Sequence, residues 1–245
     1  MKEVVIDSKG IHYKVLNFMV EEAIESGAKK IILKNVNGQR FILDGVNKDV
    51  EMEIHGTPGD DLAAFLNGPK ITVYGNAQDG VGNTMNRGLV VIHGDARDIV
   101  GHSMRGGKIF VKGDVGYRVG IHMKQYKEAY PVVVVGGAAM DFLGEYMAGG
   151  VVLVLNMQGN GFTGDWVGTG IHGGMIYIRG VVDENMLGVG AKIDELDEND
   201  RALIKGLTEE FCTYFGGDAK KLVKSRFTKV VPISHRPYGK MYKDD

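Results

Sequence analysis

A stretch from Met52 to Gly180 repeats itself, and a repeat constrains a fold more tightly than any local motif. Short segments of alternating apolar residues recur as MEIHG, ITVYG, VVIHG, IFVKG, VVVVG, VLVLN and IYIRG. They close on Gly56, Gly75, Gly94, Gly113, Gly136, Asn156 and Gly180. The first three intervals, between positions 56, 75, 94 and 113, are 19 residues each, and the later ones are 23, 20 and 24.

Two residues before each closing position stand Ile54, Val73, Ile92, Val111, Val134, Val154 and Ile178. Four before stand Met52, Ile71, Val90, Ile109, Val132, Val152 and Ile176. Period-two alternation puts these side chains on one face of a strand. Seven after the closing glycine come Ala63, Gly82, Gly101 and Gly120, each preceded by an apolar residue. Ten after come Leu66, Met85, Met104 and Met123, with Met147 one step late. Coils stacked ~4.8 Å apart would turn each position into an interior ladder. One coil cannot bury its own apolar face, but a stack can. The expected fold has an all-β core: a single-stranded right-handed parallel β-helix of about seven to eight coils, with an N-terminal capping helix and C-terminal helices.

The flanks are consistent with one domain in three parts. Residues 1–30 read as a strand, VVID at 4–7, and a capping helix from Lys14 to Ser26 stopped by Gly27. Residues 31–190 hold the coils, beginning with the divergent IILKN that closes on Asn35. Residues 191–245 hold a helix with Leu203, Ile204, Leu207, Phe211, Tyr214 and Phe215 on one face. It ends at Gly216–Gly217, Asp218 is placed to cap a short helix, and FTKVVPIS at 227–234 reads as an extended tail. Outward positions are mixed early, but Phe110, Val133, Val135, Leu153 and Leu155 form an apolar patch over adjoining coils. Such a patch is covered either by the chain's own C-terminal helix or by a partner.

Formal net charge is −2 with a pI near 6.4, which offers no general attraction to nucleic acid or anionic lipid. The single cysteine, Cys212, excludes an internal disulfide framework and a multi-cysteine metal site. Neither a signal-peptide core nor an apolar run of ~18 residues is visible, and the expected location is cytoplasmic.

Several motifs resemble sites. GNGFTG at 159–164 and GTGIHG at 168–173 match the dinucleotide fingerprint, but no amphipathic helix follows either. GHSMR at 101–105 approaches a nucleophile elbow, with Arg105 in place of the last glycine and Ser103 as the nominal nucleophile. His55 and His93 share a repeat position two coils apart, about 9.6 Å, too far for one zinc. His102, His122 and His172 fall in corners where they can approach one another. The Met ladder suits interior packing, and Cys212 suits the apolar face of its helix. Asp60, Asp79 and Asp98 align as turn residues bonding their own backbone.

GDARDIVGHSMRGGKIFV at 94–111, GEYMAGGVVLVL at 144–155 and GDWVGTGIHGGMIYIRG at 164–180 resemble the C-terminal GXGXG β-helix domain of the glutamate synthase large subunit. FCTYFGGD at 211–218 and VPISHRPYGK at 231–240 are similar to the stand-alone form of that domain, and the same β-helix resembles the β-helical subunit of formylmethanofuran dehydrogenase. The resemblance implies a non-catalytic scaffold that holds a glutamine amidotransferase-like subunit and an FMN-binding glutamate synthase-like subunit in register. FMN and an iron–sulfur cluster are then expected on those partners, with no catalytic, cofactor or metal residue in this chain. Lys2 stands where a nucleophilic cysteine would follow Met1, no (β/α)₈ pattern exists, and one cysteine cannot hold a cluster. A chain without those partners is expected to self-associate. Two alternatives remain: the β-helical subunit of a formylmethanofuran dehydrogenase, and a stand-alone hydrolase using Ser103 or Cys212.

Overall fold

The computed structural model describes residues 2–127, 129–159 and 164–235. Nine strands pair in sequence order, each parallel to the next. They are β1 (Glu3–Asp7), β2 (Lys30–Asn37), β3 (Glu51–Thr57), β4 (Asn67–Tyr74), β5 (Arg87–Ile92), β6 (Lys108–Val111), β7 (Val132–Val135), β8 (Ala148–Val154) and β9 (Gly173–Arg179). The chain is a parallel β-helix. Its 19-residue coils stack in register, as in Met52↔Ile71, Ile71↔Val90 and Val90↔Ile109.

Three walls enclose one core. The strand wall contributes the two rows of aliphatic side chains before each closing residue. A second wall is joined by isolated parallel bridges through Ala77, Ala96, Val115 and Ala139. The third is a corner carrying Leu62, Val81, Val100, Val119, Leu143 and Val167, with the row Leu66, Met85, Met104, Met123, Met147 and Ile171 at its end; all are buried. Burying one such side chain is worth ~1.5–3 kcal/mol, so the rows supply most of the driving force. Space at the corner is tight: a Cβ on Gly82 would lie 2.4 Å from Ile109 Cδ1, at a left-handed φ of +68°.

One coil departs from the sequence reading. The pairs Ile109↔Val133 and Val111↔Val135 place Val133 and Val135 in the interior, and Val132 and Val134 face outward. A one-residue slip exchanges the two faces of a strand. The residue equivalent to Gly113 is therefore Gly137, whose N–H donates to Gly113 O at 2.8 Å, and not Gly136. Counted from 137, the last intervals become 24, 19 and 24, and Met147 falls in step, ten residues on. Between Gly56 and Gly180 two coils carry five extra residues each, and the others keep the 19-residue period.

The first turn contains α1 (Tyr13–Glu25), which runs between β1 and β2 and adds Leu16, Val20, Ala23 and Ile24 to the core. Asn35 sits at a bulge with φ 58°, and pairing resumes at Val36↔Gly56. At the other end the tail is more than extended: β11 (Phe227–Pro232) inserts antiparallel between β9 and β10 (Ala191–Asp194). Both flanks thus belong to one 11-stranded sheet.

Helix α2 (Glu198–Phe215) begins in a capping box made by Asp197 and Asp200 and is followed by α3 (Ala219–Val223), capped by Asp218. The buried face of α2, with Ile204, Leu207 and Phe211, lies on the outer side of the strand wall over Phe110, Val132, Val134, Val151, Leu153, Leu155 and Tyr177. This corrects the expectation of a partner surface at Phe110, Val133, Val135, Leu153 and Leu155. All five are fully buried within this chain, two in the interior and three in the cluster covered by α2. No helix among the described residues is long and apolar enough to cross a membrane.

Candidate functional site

The corner wall is where the motif residues gather, and its geometry decides what they do. Alternate residues there take left-handed φ values: Ile99 54°, Gly101 72° and Ser103 53° in one coil, Arg118 58°, Gly120 73° and His122 54° in the next. Their N–H groups alternate in direction. Ser103 N–H donates forward to Ile121 O at 2.8 Å, and Gly101 N–H donates back to Val81 O at 2.8 Å. The strain recurs from coil to coil, so it belongs to the turn and does not mark one residue as special.

Ser103 therefore sits within a coil whose next element is strand β6, not on a strand-to-helix elbow. GTGIHG at 168–173 likewise leads into strand β9, so no helix N-terminus faces it. GNGFTG at 159–164 lies largely outside the described residues. Of the corner histidines, His102 and His122 have ring centroids 6.1 Å apart, and His172 Nδ1 is 3.1 Å from Gly170 O. Burial, with the neighbouring His122 second, pushes the His102 imidazole below its ordinary value. Among the described residues no group of three or more His, Cys, Asp or Glu is placed to hold a metal. His55 and His93 stack on either side of Tyr74, each 4.9 Å from its ring.

Cys212 is half-buried on α2, and burial pushes its thiol up, away from the reactive thiolate. The aspartate ladder differs from its sequence reading. Asp60, Asp79 and Asp98 accept backbone N–H bonds from Asp79, Asp98 and Tyr117, one coil further on, at 3.4, 3.1 and 2.9 Å. Asn76, Asp95 and Asp114 make a second ladder of the same kind, to Asp95, Asp114 and Ala138. These side-chain oxygens tie coils together instead of closing their own turns.

The most acid–base-rich cluster is buried and structural. Tyr177 donates to Asp200 Oδ1 at 2.6 Å, and Lys229 Nζ donates to Asp200 Oδ2 at 2.7 Å. The Asp197 N–H donates to Asp200 Oδ2 at 2.8 Å. The cluster pins the start of α2 to β9 and β11.

What the corner wall presents to solvent is aromatic. Phe142 stacks on Trp166 with centroids 5.0 Å apart and planes 15° from parallel. The Arg118 guanidinium lies 5.0 Å from the Phe142 ring, and its Nε is 2.9 Å from Glu145 Oε2. In a neighbouring column His122 stacks on Tyr146 at 5.3 Å. Trp166 is 50% exposed and Tyr146 43%. Flat rings one coil apart match the stacking distance, and each pair adds ~0.5–1.5 kcal/mol. Sequence reasoning did not align the aromatic residues of the corner and missed this stripe, although they recur at fixed places in the coil.

A family model described as "GXGXG motif" matches residues 27–233 of the chain. An uncharacterized protein of Methanocaldococcus jannaschii is 54% identical over 256 residues, covering 100% of this chain and 98% of that protein.

Proposed function

The chain belongs to the GXGXG family, that of the glutamate synthase C-terminal β-helix domain, and we propose that it is a non-catalytic scaffolding subunit of a glutamate synthase-type complex. Its partners in this reading are a glutamine amidotransferase-like subunit and an FMN-binding synthase-like subunit, which carry the FMN and the iron–sulfur cluster. The work of the chain is geometric. A rigid stack sets the separation and orientation of two catalytic units, so that ammonia released in one reaches the other.

The observation that carries the reading is the exposed stripe of Arg118, Phe142, Trp166, His122 and Tyr146 on the corner wall. Trp, Tyr and Arg are the residue types that dominate binding energy at protein interfaces. They stand here on a backbone held from both sides by neighbouring coils, so little order has to be created on docking. Helix α2 takes the later coils of the strand wall, and the corner wall carries this aromatic face exposed to a partner.

Purification of the native protein from extract under mild conditions tests this. Recovery with an amidotransferase and an FMN protein, and glutamine-dependent glutamate formation by the assembly, is the expected result. Recovery as a free chain or as a homo-oligomer alone would sink the reading. Molybdenum or tungsten in the recovered complex would move the chain to the formylmethanofuran dehydrogenase alternative.

A further inference from the structure

Several solvent-facing cations of this fold are matched within the chain. Lys30 pairs with Glu53, Arg87 with Asp49, Arg97 with Asp79, Lys108 with Glu210 and Arg118 with Glu145. Two cations outside these pairs are stacked beside a cavity. Arg105 and Lys124 hold the same position on successive coils: Arg105 N–H donates to Met85 O at 2.8 Å, and Lys124 N–H to Met104 O at 2.9 Å. Their backbones are thus one coil apart, ~4.8 Å, with like charges side by side. Among the described residues no carboxylate forms an ion pair with either.

These two cations line a cavity of about 450 Å³ together with Asn86, Tyr126 and Ala129. Asn86 stands one coil before Arg105 in the same column, its N–H donating to Leu66 O at 2.8 Å. The opposite wall comes from the longer coil. Tyr126 and Ala129 exchange backbone hydrogen bonds of 3.0 and 3.1 Å, a small antiparallel bridge within the segment by which this coil exceeds 19 residues. The cavity thus exists because the repeat was lengthened at the coil that carries the second cation. Its size falls within the range of small-ligand sites.

We propose that this cavity binds a small oxyanion, a carboxylate or a phosphate. Arg105 offers a planar fork of donors, Lys124 a point charge and Asn86 and Tyr126 neutral polar contacts. The anion gains charge-assisted hydrogen bonds from both cations. The inference stands independently of the scaffolding role, because it rests on this cavity alone.

Isothermal titration calorimetry of the intact protein with inorganic phosphate, and separately with succinate, tests it. The expected result is saturable one-site binding of at least one probe, weakened about tenfold or more in Arg105→Gln and in Lys124→Gln. Lys205→Gln, on the exposed side of α2, is expected to leave binding unchanged. The tighter probe assigns the anion as phosphate or carboxylate. Both variants replace exposed side chains, and circular dichroism is expected to show the wild-type fold. No saturable binding of either probe, or binding indifferent to both substitutions, overturns the proposal.

Discussion

Phe211 rests on Gly136: a Cβ at that glycine would lie 2.6 Å from the ring's Cζ and 2.2 Å from Lys112 O. The contact seats α2 on the outer side of the strand wall. Gly136→Ala is expected to lift the helix and destabilise the fold by ~2–3 kcal/mol through overpacking. Phe211→Ala, which leaves a cavity over Phe110 and Leu155, is expected to cost ~3–5 kcal/mol. Urea unfolding midpoints measure both, and a wild-type midpoint for either would remove α2 from the core.

The buried Tyr177–Asp200–Lys229 cluster gives a second expectation. Lys229→Met strands the Asp200 carboxylate in a site that is 4% exposed, and is expected to cost ~3–5 kcal/mol. Asp200→Asn combined with Lys229→Met removes both charges and should recover much of that loss. A double-mutant cycle on the same unfolding measurement reads the coupling.

The same carboxylate predicts an acid dependence. Burial alone would raise the Asp200 pKa, but the bonds from Lys229, Tyr177 and the Asp197 N–H outweigh it and hold the group below its ordinary value. The folded protein then binds fewer protons here than the unfolded chain. The stabilisation is complete above the unfolded value of ~3.9 and is lost as pH falls through the lower folded one. Unfolding midpoints followed from pH 6 to pH 2 should show this loss in the wild type, and a smaller one in Asp200→Asn.

The corner is predicted to be intolerant of Cβ atoms. Gly82→Ala combines a left-handed φ with a contact of 2.4 Å to Ile109 Cδ1, and is expected to destabilise by ~2–4 kcal/mol. Ile109→Val deletes the clashing methyl. The double variant should be more stable than the sum of the two single losses; strict additivity would show that the two walls do not meet there.

The docking stripe predicts a binding defect without a folding defect. Trp166→Ala and Tyr146→Ala alter half-exposed rings, so the unfolding midpoint should move little, whereas co-purification of partner subunits should fall tenfold or more. Retention of the partners by both variants would move the interface elsewhere on the chain.

Much of the fold was legible because the interior ladders repeat at a fixed interval, and aliphatic rows such as Ile54, Val73 and Ile92 set the strand phase. The phase failed where that signal vanishes. Val132–Val135 is a run of four valines followed by two glycines, and α2 buries its outer face while the core buries its inner one. A strand buried on both sides carries no alternation to read. The partners of Asp79 and Asp98 lie a full coil away, so a local turn reading could not find them. The tail was legible as extended, but its place between β9 and β10 is a tertiary fact.

That place has a consequence for how the protein is made. Strand β10 reaches the sheet only through β11, which follows it by more than thirty residues in the chain. While the ribosome is still producing the segment between them, the last coil has its hydrogen-bonding groups open and nothing to close them. Sealing the stack is therefore a late step in biogenesis. A nascent chain paused before Phe227 offers a naked template to any extended peptide nearby.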